Sequence, residues 1–582
     1  MLARPLLTAS LIFAASGALF AQGVAAVPAG EPLLGPPTLH SIGISWIIGG
    51  DENTNSEVRL SWRVSDGAWK EAQPLLRVEQ GAQKPAKSAG SIAVPAGARL
   101  FAGSLLLLEP ATDYELKLKL VDPDGGGREA LLKTHTLAEP AAPEDATTFH
   151  VIPGSGGGTG SAADPFRGLQ SAQSHAKPGT IFLLHHGTYP PEFIVSKSGE
   201  PGRPIVWRAA GDGEPILDGT AAAEGHAARL ISADRAHDVW FEGLILRHGG
   251  KGVAANGGAR LVIRHCRISE VEYGIFATKN DDDTMRGWFI TDNVIEGPTT
   301  WPRSKGIEPE RGIQITGEGH VVAYNRISGF ADAIDTVPSI RCADIDFHNN
   351  DLIGLTDDGV ELDYSERNVR CFENRLTNIY QGISTQPVFG GPIYIFRNVL
   401  YNVVQEPFKM HNSPSGALFF HNTVVKRGMP FFIQTNAPVR NSRTRNNLFF
   451  GTGAPYAFET SAKMRDCDFD FDGVGGGPFA LFLKWNGIRY PTLEETRQKG
   501  PAWKHVVALG AASPFAGAVT PPADPNVAQP APDLRLDAGS AAVDAAQALP
   551  GVNDNFAGAA PDLGAYELGA PLPIYGPRPL VP

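Results

Sequence analysis

Sulfur is scarce in this chain of 582 residues: there are 4 cysteines and 5 methionines. So few cysteines exclude a disulfide-dense scaffold, and none of them has zinc-ligand spacing. Positive charge is also short, 50 Lys and Arg against 62 Asp and Glu for a net charge of −12, which argues against a nucleic-acid partner held by bulk charge. After the N-terminus no apolar run approaches the 18 residues of a membrane-crossing helix, so no stable span is expected. The chain carries no GxSxG elbow, and its glycine-rich stretch Gly154–Gly160 lacks the GK[ST] ending of a phosphate loop. What is abundant is turn formers, 66 Gly and 47 Pro, within a chain that is 42% hydrophobic. That is the composition of a globular, loop-rich protein of several domains.

Residues 1–26 read as an export signal: Arg4, an apolar stretch from Leu6 to Phe20, then small residues at Ala21 and Ala25-Ala26. A secreted or periplasmic, monomeric protein is the resulting expectation. There Cys266, Cys342, Cys371 and Cys467 either pair, in one of three ways, or stay as buried thiols.

Residues 36–138 alternate apolar and polar residues over short runs, such as Val58-Arg59-Leu60-Ser61-Trp62 and Tyr114–Leu120, as half-buried antiparallel strands do. Within them Leu108-Glu109-Pro110-Ala111-Thr112-Asp113-Tyr114, together with Trp46, resembles the tyrosine corner and buried tryptophan of fibronectin type III domains. The resemblance implies a spacer or binding module.

From about residue 147 a phrase recurs: Asn293-Val294-Ile295, Asn325-Arg326-Ile327, Asn350-Asp351-Leu352, Asn374-Arg375-Leu376, Asn398-Val399-Leu400, Asn422-Thr423-Val424 and Asn447-Leu448-Phe449. After a first interval of 32 residues the repeat settles at 24 or 25, and Gly243 and Cys266 are read as holding the same place in two earlier turns. Short strands at this period, without a helical pattern, predict a right-handed parallel β-helix over 147–455, its asparagines bonding one another in a ladder. The opening segments Pro178–Leu184, Gly187-Thr188-Tyr189 and Leu217-Asp218-Gly219 resemble the pectin-lyase-like β-helix superfamily. The segment 456–582 reads as cap and tail, with 529–567 closing the open end. The expected fold class is therefore all-β: a right-handed parallel β-helix preceded by a fibronectin-III-like β-sandwich.

A second strand follows each asparagine phrase, and its parity sorts the side chains. Ile275, Ile313, Ile334, Val360, Ile383 and Phe408 should point inward. Phe276, Gln314, Asp335, Glu361, Ser384 and Lys409 should form an outward column, with Asp363, Gln386 and His411 two residues further on. Asp332, Asp357-Asp358, Gln381 and Glu406 sit just before these strands. Six carboxylates on adjacent turns, about 4.8 Å apart, repel unless a cation or shared protons intervene. The insertion Gly297–Arg311 brings Trp301, Arg303 and Lys305 as a candidate cleft wall.

Two chemistries compete for this patch. Ala331-Asp332, Asp357-Asp358-Gly359-Val360-Glu361 and Pro407-Phe408-Lys409 resemble motifs of the family-nine pectate lyases. That resemblance implies Ca²⁺ held by Asp332, Asp357, Asp358 and Glu361, and a lysine of lowered pKa, Lys409, that removes a proton from a uronate sugar. Lys409 lies two turns beyond the Asp pair, about 9.6 Å along the stack. The alternative is a glycosidase using Asp335, Asp358 and Glu361, because neighbouring carboxyls suit acid/base hydrolysis. The order of Asp332, Asp357-Asp358 and Lys409 also resembles family-twenty-eight polygalacturonases, although Gln381 and Pro407 replace that family's His and Arg. In either enzyme Gln314, Asp363, Gln381, Gln386, His411, Arg303 and Lys305 are candidate substrate contacts on an acidic polysaccharide. Calcium-assisted elimination leads, and a non-catalytic glycan-binding protein is the third reading.

Overall fold

The computed structural model describes residues 24–79, 92–222, 225–278, 284–303, 310–337 and 342–579. Most of the export-signal reading, and Lys305, fall outside them. Two antiparallel sheets come first. One contains the strands Ile42–Gly49 and Ala98–Leu105, the other Glu57–Val64, Asp113–Val121 and Arg128–His135. Their alternating apolar residues meet in one core, with Ile42, Ile44, Trp46, Val58, Leu60, Leu116 and Leu118 all buried. The backbone N–H of Glu109 donates to the Tyr114 hydroxyl at 2.9 Å.

The chain then winds into a solenoid whose strands pair in parallel with those of the next turn, forming one 16-stranded and one 18-stranded sheet. Val, Ile, Leu and Phe fill the interior, as the parity of the strands requires: Ile275, Ile313, Ile334, Val360, Ile383 and Phe408 are fully buried.

A single corner repeats between the two sheets. The residue before each ladder asparagine, from Asp292 through Tyr324, Asn349, Glu373, Arg397 and His421 to Asn446, has φ between 52° and 62° or, at Glu373, 51°. Such left-handed backbone is unfavourable for a residue with a Cβ. The asparagine that follows repays it: each amide nitrogen donates to the amide oxygen of the next turn, Asn350 to Asn374 at 2.9 Å and Asn374 to Asn398 at 3.0 Å. The same oxygens accept the backbone N–H of the turn before. The ladder ends on Asp472, which accepts from Asn447 at 2.8 Å. In the earlier turns the register sets Glu242 opposite Arg264, so Gly243 takes the left-handed position beside His265, and Leu244 rather than Gly243 shares the asparagine place with Cys266.

The four cysteines are free thiols, three of them buried. The last turn is covered by Trp485, Trp503 and Val506, packed into the solenoid core. Segment 529–567 lies along the side rather than over the end: Leu534, Leu536, Leu563 and Ala565 pack on Val399, Tyr401, Val425 and Leu448. No helix among the described residues is long and apolar enough to cross a membrane.

Candidate active site

Parallel pairing builds the site. Gln314 is in register with Asp335, Asp335 with Glu361, Glu361 with Ser384, and Ser384 with Lys409, which is the column that parity predicts. Three residues earlier on the strands, Arg311 is in register with Asp332. The strand Asp351–Glu361 carries an irregularity between Leu355 and Asp358. A bulge of this kind re-aims side chains, and here both Asp357 and Asp358 are buried.

The carboxylates are not left to repel one another. Arg311 Nε lies 2.7 Å from Asp332 Oδ2 and 3.5 Å from Asp335 Oδ2. Asp332 Oδ1 accepts the backbone N–H of Asp358 at 2.7 Å, tying two turns together. Gln314 donates its side-chain amide to Asp335 at 2.7 Å. Lys409 Nζ donates to Asp358 Oδ2 at 2.6 Å and is 3.9 Å from Glu361, so the lysine spans the two-turn gap. Glu361 is in register with Asp335 on the turn before, and its carboxyl feels the charges of both Asp335 and Asp358. Its side chain is 17% exposed, against 0% for Asp332 and Asp358 and 7% for Asp335. Glu361 is the carboxyl of this group that an incoming molecule meets first.

Burial drives the protonation states. It raises Asp332 well above the ordinary carboxylate range, with Arg311 pulling back and Asp358 and Asp357 adding to the rise. Asp358 is pushed up to about 6 by burial, opposed by Lys409. Glu361 is also raised strongly, by burial and then by the surrounding carboxylates Asp332, Asp363, Asp358 and Asp335, and holds a proton at neutral pH. For Lys409 burial favours the neutral amine, but the facing Asp358 outweighs it and the pKa rises above the usual lysine value. This reverses the expectation of a lysine with lowered pKa: Lys409 stands as a paired ammonium.

The other candidates divide. Arg303 reaches the site, 3.6 Å from Asp357 and 4.2 Å above the ring of Tyr380. Asp363 is buried and accepts from Ser384 Oγ and the Gln386 backbone N–H, so it braces the next turn instead of facing a ligand, and Gln386 takes part through its backbone. Gln381 accepts the Glu406 N–H at 3.0 Å. His411 Nε2 sits 2.8 Å from Glu406. Arg311 and Tyr380 were not among the sequence candidates. Arg311 carried a signal, because it precedes Gln314 by the three residues that separate Asp332 from Asp335.

Asp332, Asp357 and Asp358 each offer an oxygen within 4.8 Å of the others, a donor set of the type hard cations take. Glu361 is not part of that group. All three carboxylates already face resident cations, Asp332 with Arg311, Asp357 with Arg303 and Asp358 with Lys409, while Asp358 Oδ1 is buried without a hydrogen-bond partner.

The family model "Right handed beta helix region" matches residues 224–387. This stretch is a right-handed β-helix. Over 95 residues the chain is 30% identical to the protein YwoF of Bacillus subtilis, described as uncharacterized; the match spans 16% of this chain and 20% of that one. Among solved structures, the complex of XylC with xylose superposes with a TM-score of 0.44 at 12% identity, covering 63% of this chain and 86% of that one. An alginate lyase from Paenibacillus sp. gives 0.23 at 15% identity, over 55% and 95%. The catalytic domain of a GH87 alpha-1,3-glucanase with tetrasaccharides gives 0.28 at 11% identity, over 84% and 96%.

Proposed function

We propose that this protein is a glycoside hydrolase acting on a polysaccharide, with Glu361 as general acid and Asp335 as the carboxylate beside it. The observation that carries the reading is the position of Glu361: it is the most accessible carboxyl of the cluster, on the turn next to Asp335 and in register with it. Adjacent strands lie about 4.8 Å apart, nearer to the roughly 5–5.5 Å separation of retaining glycosidases than to the roughly 6.5–9.5 Å of inverting ones. Glu361 would protonate the departing glycosidic oxygen while Asp335 attacks the anomeric carbon. Water, giving its proton back to Glu361, would then release the sugar with retained configuration. Gln314 and Arg311 orient and balance Asp335. Asp358 and Lys409 form a paired unit against Glu361.

The test is an assay on a panel of neutral and acidic polysaccharides with and without chelator. New reducing ends, no ultraviolet-absorbing unsaturated product and indifference to chelator are expected. An unsaturated product that disappears with chelator would establish the second reading, calcium-assisted elimination. That reading is favoured by the cluster Asp332, Asp357 and Asp358 and by the unpartnered Asp358 Oδ1. It requires Lys409 to surrender its proton when a cation takes Asp358. Binding without either product would leave a glycan-binding protein.

The two-sheet unit fits a fibronectin-III-like module, supported by the Tyr114–Glu109 bond and the buried Trp46. Together with an export signal it suits an enzyme that meets its polymer outside the cytoplasm.

A further inference from the structure

The column that turns acidic at Asp332 has a different character on the turns before it. Register pairs Arg229 with Lys251, Lys251 with Tyr273, Tyr273 with Arg311 and Arg311 with Asp332. Beside it, Ala254, Phe276, Gln314 and Asp335 form the neighbouring column. The same outward face that carries the carboxylates thus continues as a basic and aromatic strip.

Lys251 is the centre of that strip. Its ammonium lies 4.7 Å from the ring centre of Phe276 and 5.3 Å from that of Tyr273, and the two rings meet edge to face at 4.7 Å. Three carboxylates of these turns are committed elsewhere, Asp218 to Arg247 and His248, Glu270 to His248 at 2.7 Å, and Asp234 to Arg229 at 3.2 Å, while Glu272, beside Tyr273, is exposed to solvent. Among the described residues no carboxylate lies within ion-pair distance of Lys251, and Arg229, Lys251, Tyr273 and Phe276 are all partly exposed. A cation held over two aromatic rings, with no ion pair among the described residues, on a surface continuous with a cleavage site, is equipped to take a charged sugar. The rings supply a stacking face and the ammonium an anion contact.

We infer that Lys251, Tyr273 and Phe276 form a substrate subsite that binds a sugar unit bearing a carboxylate or sulfate. It lies about three turns, some 14 Å, from Asp335 along the solenoid axis. A glycan chain lying along the axis would then place its anionic unit on Lys251 and its scissile bond at Glu361. This rests on the hydrolase reading for the position of the scissile bond.

The experiment measures binding without turnover. The full chain carrying Glu361→Gln is titrated calorimetrically with hexagalacturonate, with its carboxyl-reduced neutral counterpart, and with a κ-carrageenan hexasaccharide, which bears sulfate and no uronate. Lys251→Met should weaken an anionic probe about tenfold or more and leave the neutral one unchanged. Lys251→Arg should retain most of the affinity, and Phe276→Ala should weaken charged and neutral probes together. The anionic probe that loses affinity in Lys251→Met names the substituent. Equal affinity for charged and neutral probes, no binding of either anionic probe, or no effect of Lys251→Met overturns the subsite. Failure of the hydrolase reading shows separately, as an absence of cleavage by the unmodified protein while the binding differences persist.

Discussion

Two polar columns climb the same solenoid, and they solve opposite problems. The asparagine ladder stacks one neutral group seven times, and every amide both donates and accepts, so each turn satisfies the next. The site column stacks carboxyls, which when ionised can only accept. It is held by interruptions: Arg311 at one end, Lys409 at the other, Gln314 and Ser384 between, and a proton on Glu361. The ladder gains from burial because it leaves no polar group unpaired. The site column pays for burial in raised pKa values, and on the proposed hydrolase reading those raised values suit it to acid/base work.

The contrast is broken most sharply at Glu361. Glu361→Gln should lower turnover by about 10²–10⁴-fold while the melting temperature holds or rises, because a crowded acid is removed. A variant with near-normal turnover would exclude Glu361 from the chemistry. Asn374→Ala should do the reverse. It strips the partner from the Asn350 amide and N–H and removes one of the donors to Asn398 Oδ1, and should cost roughly 3 kcal/mol of stability in denaturant titration with turnover preserved to within a few-fold.

The columns should also differ in pH response. Asp363, raised to about 8 by burial and the Asp358 charge, is more easily protonated folded than unfolded. Its contribution is complete below about pH 4 and is lost as the pH rises through 8, at up to about 1.4 kcal/mol per pH unit. Thermal stability should fall over that window, and Asp363→Asn should flatten the fall; an unchanged slope would show that Asp363 is not the group responsible. The smallest effect is expected at Gln314→Ala, which removes one hydrogen bond to Asp335. A loss of a few-fold in kcat with KM little altered would sharpen its role in orienting that carboxylate.

The winding of the chain was readable before any coordinates. Alternation and a 24-residue interval are properties of a strand and its neighbour, and they placed Gln314, Asp335, Glu361, Ser384 and Lys409 in one line and the asparagines in another. The same offset of three residues marks Arg311 as the partner of Asp332 on the preceding turn. The charge state of Lys409, the partner of His411, the bulge at Asp357-Asp358 and the course of the tail were not readable, because they depend on how far side chains reach across turns and on which groups lose water. Local pattern settles which face a residue occupies. Only the folded surroundings settle what it is paired with, whether it keeps its proton, and that Lys251, remote from Glu361 in sequence, shares its surface.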